Sequence, residues 1–246
     1  MLIAFLTDIH SNREAFSACL AHAEAKGAQK FVFLGDYIGY GADPEWTVQT
    51  VMERVAKGAV AIRGNHDDAA TGGVGGMNNN AAAAIEWTRG HLSRDSRRFL
   101  DALPMTVIDD DRLYVHADAS APDRWIYVTD GESARHSLEA AETRLVFSGH
   151  VHVPGIYGLS GLGKLTPFQP TPGVSVPLLA QRRWLCLIGS VGQPRDGNPA
   201  AAYALYNTFT AEITFQRVPY DVEAAARKIV DAGLPTGLAS RLFAGR

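Results

Sequence analysis

Short apolar runs recur along the first 150 residues, and each one stops abruptly at a polar cluster. Leu2-Ile3-Ala4-Phe5-Leu6 runs into Asp8-Ile9-His10. Phe31-Val32-Phe33-Leu34 runs into Gly35-Asp36, and Ala59-Val60-Ala61-Ile62 into Arg63-Gly64-Asn65-His66-Asp67. Leu113-Tyr114-Val115 ends at His116, and Leu145-Val146-Phe147 at Gly149-His150-Val151-His152. Runs of this length, rich in β-branched and aromatic residues, predict buried strands. Five strand ends therefore deliver Asp, Asn or His, and in open α/β sheets ligands gather at the carboxyl ends of strands.

Between the runs the apolar spacing turns helical. Asn12 is placed to cap a helix over Glu14–Ala25, with Phe16 and Leu20 on one face and Gly27 as its stop. Asp43-Pro44-Glu45 reads as an N-cap followed by proline at the first helical position, opening a helix to about Ala56 that Gly58 ends. Thr71 to Asn80, rich in Gly and Asn, predicts a mobile loop. Helices are expected over Ala81–Leu92, Ser96–Leu103 and Ser133–Ala141. Thr106–Ile108 and Leu113–Val115 form a hairpin around Asp109-Asp110-Asp111, read as a solvated turn. From Ile156 to Phe215, Gly, Pro and short apolar runs predict several antiparallel strands; Val222–Ala232 and Leu238–Phe243 are helical. The pattern describes an α/β core extended by an antiparallel second sheet.

Composition narrows the class. The 246 residues suit a single domain over 1–246. A net charge of −3 leaves no basic footprint for duplex nucleic acid. Cys19 and Cys186 lie far apart in apolar surroundings, which predicts free buried thiols in a reducing compartment, and a cytoplasmic protein. The apolar start meets Asp8 at once, so it reads as a strand and not a signal peptide, and no run approaches membrane-spanning length.

The polar clusters carry metal chemistry. Asp8 and His10 stand at i and i+2, as do His150 and His152, so each pair can point at one ion. Imidazole with carboxylate suits Zn, Mn or Fe better than calcium. Asp36, between the Asp8 and Asn65 strands, is placed to bridge two ions. Five of the eight histidines fall in these clusters. The others, His22, His91 and His136, sit in helical stretches and read as ordinary helix histidines.

In order and completeness the clusters resemble the calcineurin-like metallophosphoesterases: Asp-x-His, Gly-Asp, Gly-Asn-His-Asp, His, then Gly-His-x-His, from Asp8 to His152. The later Gly189-Ser190-Val191-Gly192-Gln193-Pro194-Arg195-Asp196-Gly197 segment, and Asn78 ahead of Trp87-Thr88-Arg89, resemble a bacterial phosphoesterase branch. The resemblance implies two packed mixed β-sheets flanked by helices, a four-layer α-β-β-α sandwich. It implies two metal ions, Mn, Fe or Zn. Asp8, His10, Asp36 and His152 would hold one, and Asp36, Asn65, His116 and His150 the other. It also implies in-line attack on phosphorus by a metal-bridging hydroxide, with His66 protonating the leaving oxygen or stabilising the transition state, and Asp67 orienting His66. Arg13, Arg63 and Arg195 are candidates for the phosphoryl oxygens. Ser11 and Ala117-Asp118 stand where glycine is common in that branch and bear on substrate preference. The expected partner is a small phosphodiester, phosphomonoester or nucleotide, with no membrane and either a monomer or a dimer. The alternative is a catalytically silent scaffold of this fold that binds a protein, disfavoured because His66 and every ligand are kept.

Overall fold

In the computed structural model, which describes residues 1–72 and 76–246, every apolar run named above is a strand. The first half alternates. In order come β1 (Leu2–Leu6), α1 (Arg13–Ala25), β2 (Lys30–Phe33), α2 (Pro44–Ala56), β3 (Val60–Ala61) and α3 (Asn65–Thr71). Then follow α4 (Asn79–Gly90), α5 (Arg94–Ala102), β4 (Thr106–Asp109), β5 (Arg112–Val115), α6 (Gly131–Ala140) and β6 (Leu145–Ser148). The second half supplies β7 (Gly155–Ser160), β8 (Leu165–Phe168), β9 (Ser175–Pro177), β10 (Arg182–Leu187), β11 (Ala201–Asn207), β12 (Glu212–Val218), α7 (Val222–Asp231) and α8 (Thr236–Ala244).

The strands form two six-stranded mixed sheets, β3-β2-β1-β11-β12-β9 and β4-β5-β6-β10-β7-β8. Strands β1, β2 and β3 are parallel, as are β5, β6 and β10. Period-two alternation splits β1 between two cores. Ile3 and Phe5 face the second sheet, where Phe5 stacks on Phe147 at 4.1 Å between ring centres. Ala4 and Leu6 face α1, packing with Phe16, Cys19 and Leu20. Both faces are covered, so the run is apolar throughout and not alternating. On the far side, Val115, Val146 and Leu185 pack against Ala134 and Leu138 of α6. Helices therefore lie outside two sheets packed face to face, as expected.

Several expectations shift. The late strands do not make a separate antiparallel sheet. β9, β11 and β12 extend the first sheet, with β11 pairing antiparallel to β1, while β7, β8 and β10 complete the second. β11 covers the open side of the parallel trio β3-β2-β1, and β7 that of β5-β6-β10. The outer strands β8 and β9 carry Pro167 and Pro177, which blunt an exposed edge. Of the loop expected over Thr71–Asn80, residues 73–75 lie outside the described residues. Thr71 closes α3, and Asn78 caps α4 through its side chain, so Asn79 and Asn80 are helical. The three turn aspartates are paired and not simply solvated; the exposed Asp110 meets Arg112 at 3.7 Å. Asp109 meets Lys30 at 2.8 Å, tying one sheet to the other, and Asp111 meets Arg144 at 2.8 Å. Asp43 precedes α2 as predicted but makes no side-chain cap; its carboxylate takes Lys228 at 2.8 Å instead. Cys19 and Cys186 are buried and unpaired. Among the described residues no helix is long and apolar enough to cross a membrane.

Candidate metal centre

The segments following β1, β2, β3, β5 and β6 converge on one rim, and their backbones turn unusually sharply there. Asp8, His10, Asp36, His150 and His152 all have φ between 49° and 67°, as do Ser11 and Tyr40. Non-glycine residues seldom adopt this left-handed conformation, which costs on the order of 1–3 kcal/mol each and persists only where neighbours enforce it. Here the loops bond to one another. The amides of Ile9 and His10 both donate to the Asp36 carbonyl, at 2.8 and 3.0 Å. The Gly192 amide donates to the Asp8 carbonyl at 2.8 Å, and the Gly149 amide to the His116 carbonyl at 2.9 Å.

The side chains fall into two groups. Donor atoms of Asp8, His10, Asp36 and His152 lie within 4.8 Å of one another, and so do those of Asp36, His116 and His150, all buried. Asp36 belongs to both. Asn65 joins the second group, its Oδ1 3.1 Å from His116 Nε2.

Backbone carbonyls decide which ring nitrogen is free. His10 Nδ1 donates to Ile38 O at 3.0 Å, His152 Nδ1 to Gln193 O at 2.6 Å and His116 Nδ1 to Leu34 O at 2.7 Å. His150 is reversed: its Nε2 donates to Trp125 O at 3.0 Å, leaving Nδ1. A carbonyl only accepts, so each neutral ring presents its other nitrogen as a lone pair. The lone pairs then converge. His10 Nε2 faces His152 Nε2 at 3.1 Å, and His116 Nε2 faces Asp36 Oδ2 at 3.4 Å. Asp8 Oδ1 is buried with no hydrogen-bond donor, 3.2 Å from His152 Nε2. Converging lone pairs on buried imidazole and carboxylate, each imidazole fixed by a second partner, fit cations of the Zn, Mn or Fe class.

The electrostatics agree. Burial depresses the His116 imidazolium, but Asp36 and Asp8 outweigh it and lift its pKa to about 9. Burial and the charge of His116 push His150 down to about 3. Burial works against the Asp36 carboxylate too, yet His116, His66 and His10 hold it well below the usual range. The site is built to concentrate negative charge that a proton or a metal must answer.

His66 and Asp67 open α3, which the polar Gly64-Asn65-His66-Asp67 stretch had not suggested as a helix. The one local sign is Gly64 at the N-cap with an acid three residues on. That arrangement also corrects the expected role of Asp67. Its carboxylate accepts the amides of Gly64 at 2.9 Å, Asp36 at 2.8 Å and Tyr37 at 3.0 Å, and does not meet His66. At the third helical position a short carboxylate reaches back to the N-cap amide, so Asp67 fastens the β2 and β3 loops together. The His66 ring sits edge-on between His10 and Tyr40, 4.7 and 4.6 Å between centres, and its buried Nδ1 has no partner. Burial lowers its pKa to about 4.

The Gly189–Gly197 segment was singled out in the sequence, but its backbone role was not. The Ser190–Arg195 loop lies directly on the Asp8 turn: a Cβ on Gly192 would stand 1.8 Å from Ile9 O. Ser190 Oγ donates to Asp8 O at 2.8 Å, and the Arg195 amide to His152 O at 3.1 Å. Of the three candidate arginines, Arg195 alone reaches the site, 5.9 Å over the Tyr40 ring. Arg63 pairs with Asp68 at 3.2 Å, and Arg13 covers Trp46. Tyr40, Asn65, His66 and His150 line a cleft of about 260 Å³, together with Trp125 and the unanticipated Arg124.

Residues 1–210 match the calcineurin-like phosphoesterase superfamily domain. The chain belongs to the calcineurin-like phosphoesterase superfamily. A metallophosphoesterase from Sphaerobacter thermophilus is 33% identical, superposes with a TM-score of 0.90, and is covered over 99% of its chain by 100% of this one. An uncharacterized protein of Methanocaldococcus jannaschii is 32% identical over all of this chain and 98% of its own. A hypothetical protein from Pyrococcus horikoshii, 19% identical, shares the fold over 100% of this chain and 98% of its own, at a TM-score of 0.81. Membership makes this a metallophosphoesterase by family and fold, with two clusters of candidate metal-binding residues that share one carboxylate.

Proposed function

We propose that this superfamily member is a single-domain hydrolase of small phosphoesters that works with two divalent or transition metal ions, Mn, Fe or Zn. The observation that carries the reading is Asp36, whose buried carboxylate is common to two sets of fixed imidazole lone pairs. Asp8, His10, Asp36 and His152 would hold one ion, and Asp36, Asn65, His116 and His150 the other. Such ions supply charge neutralisation of the phosphoryl oxygens and a lowered pKa for an attacking water.

The protein groups do the rest. Carbonyls of Ile38, Gln193, Leu34 and Trp125 hold the imidazoles in the required tautomers. Arg124, which lines the cleft, and Arg195, which reaches Tyr40 on that lining, would meet the substrate's anionic oxygens. His66 serves the leaving oxygen as proton donor. It is neutral beside protein groups alone, and a bound phosphate dianion raises its proton affinity as Asp36 already does. Asp67 acts on His66 only through the loop it fastens. The free buried thiols suit a reducing compartment, and we place the enzyme in the cytoplasm.

The test is hydrolysis of an aryl phosphodiester and the matching monoester by metal-stripped protein with Mn²⁺ restored. Diester cleavage makes it a phosphodiesterase, and monoester cleavage alone a phosphatase. His66→Ala should keep both ions by elemental analysis and lose about 10²–10⁴-fold in rate, the usual worth of general acid help. Loss of metal in His66→Ala would overturn the division between ligands and acid. Two bound ions with no turnover of either ester would favour the scaffold reading.

A further inference from the structure

We propose that the segment Arg124–Tyr127 is a selectivity wall for a planar aromatic group on the substrate, with Tyr127 as its stacking face and Arg124 as the cation for an adjoining anionic oxygen. The proposal rests on the phosphoester reading above and names the kind of ester.

The wall starts on the last residue of a short 3-10 turn, Pro122–Arg124, and its next residue is strained. Trp125 has φ 53°, uncommon for so bulky a side chain. That turn sends the Trp125 carbonyl to His150 Nε2 at 3.0 Å and sets the indole edge-on to His116, 5.9 Å between centres at 71°. Two residues on, the Tyr127 ring lies nearly parallel to His150, 4.0 Å apart at 23°. One face of Tyr127 is thus backed by a candidate metal ligand that is itself held by a hydrogen bond. The rest is open: Tyr127 is 50% exposed, at the mouth of the cleft.

A half-exposed aromatic ring fixed from behind offers stacking area with little rotamer freedom left to lose. Tyr40 and Met77 stand among the residues lining the same cleft and give it further apolar surface. Arg124 is exposed on the cleft and makes no ion pair among the described residues, whereas Arg63 and Arg89 are both paired. At about 260 Å³ the cleft suits one compact ester and not an extended chain. An aromatic platform and an unpaired guanidinium beside converging imidazoles describe a phosphoester whose organic part is flat. A nucleobase carried on a sugar and an aryl ring joined directly to phosphate share that chemistry.

Binding to the Mn²⁺-loaded protein tests the wall, read by stopped-flow quenching of tryptophan fluorescence before turnover. Two matched pairs serve as probes: adenosine 5′-monophosphate against ribose 5-phosphate, and phenyl phosphate against cyclohexyl phosphate. In at least one pair the aromatic ligand should bind about tenfold more tightly, within the range of base–aromatic stacking. The pair that shows it identifies the nucleoside or the simple aryl ester. Tyr127→Phe should keep the advantage. Tyr127→Leu should reduce it to about twofold or less while leaving the non-aromatic ligand unchanged, which a disturbed metal site would not do. Arg124→Gln should weaken all four ligands alike. Equal affinities within both pairs, or an advantage that survives Tyr127→Leu, would overturn the wall and leave the phosphoester reading standing. Failure of all four ligands to bind would overturn the wall, while the phosphoester reading falls only if the aryl phosphodiester is not cleaved either.

Discussion

The two donor groups share Asp36 and little else. Carboxylates and imidazoles are buried in both, but the first is closed over by the Ser190–Arg195 loop, which is pressed against the Asp8 turn. This sealed group offers two carboxylates and two imidazoles. The second opens on the cleft, has Asp36 as its one carboxylate, and includes the neutral amide of a half-buried Asn65. Its His150 is held by the substrate-side Trp125 carbonyl and offers the opposite ring nitrogen. More anionic charge binds a cation more firmly but quenches its pull on a substrate oxygen. On the proposed two-ion reading, the contrast would separate a holding pocket from one that meets the substrate.

Asp36→Ala should have the largest effect because it strikes both pockets. Metal analysis should find both ions lost, with activity down by about 10³-fold or more, since such ions supply several kcal/mol of charge stabilisation. One ion retained at full occupancy would show that the pockets are independent and the carboxylate not truly shared. Gly192→Ala should act on the sealed pocket alone. The added methyl meets Ile9 O, so the Asp8 turn must move. Overpacking of this kind costs about 1–3 kcal/mol, a melting temperature lower by roughly 5 °C in a chain of this size. The ion at Asp8, His10 and His152 should weaken while the other is kept. Equal weakening of both would mean that the loop braces the whole rim.

How far the sequence foretold these pockets follows from the range of each interaction. The strand ends were legible because each buried run breaks at a polar residue, a purely local sign. The partition of β7 to β12 between two sheets was not, since pairing β11 with β1 spans some 200 residues and leaves no local mark. The ligand residues were legible as side-chain types in order. The four carbonyls that set their tautomers were not, because any residue supplies a carbonyl. The left-handed turns at Asp8, His10 and His152 were hidden for the same reason: the residue type gives no warning when tertiary bonds impose the conformation. Asp67 shows the opposite failure. Adjacent to His66 in sequence, it invited a side-chain pairing, but helical geometry turns it towards the Asp36 and Tyr37 amides.

The subtlest effect should come from Asn65, where the contrast in charge is set. Gly64 is the N-cap of α3, so a change at Asn65 leaves the helix start intact. Asn65→Ala removes an oxygen facing His116 and should weaken the cleft-side ion by at least the about 10–100-fold typical of outer-shell partners, with the sealed ion untouched. Excess Mn²⁺ should then restore most of the rate. Asn65→Asp is the more telling change, because it gives the cleft-side pocket the second carboxylate that the sealed pocket already has. That ion should bind more tightly, measured by competition with a chelator, while kcat at saturating metal falls by about tenfold, the worth of roughly 1.4 kcal/mol of lost charge stabilisation. Tighter metal with slower turnover is the signature of a pocket tuned for pull on the substrate and not for grip. If Asn65→Asp bound the ion more tightly and also turned over faster, the neutral amide would have no electrostatic purpose, and the difference between the pockets would reduce to burial alone.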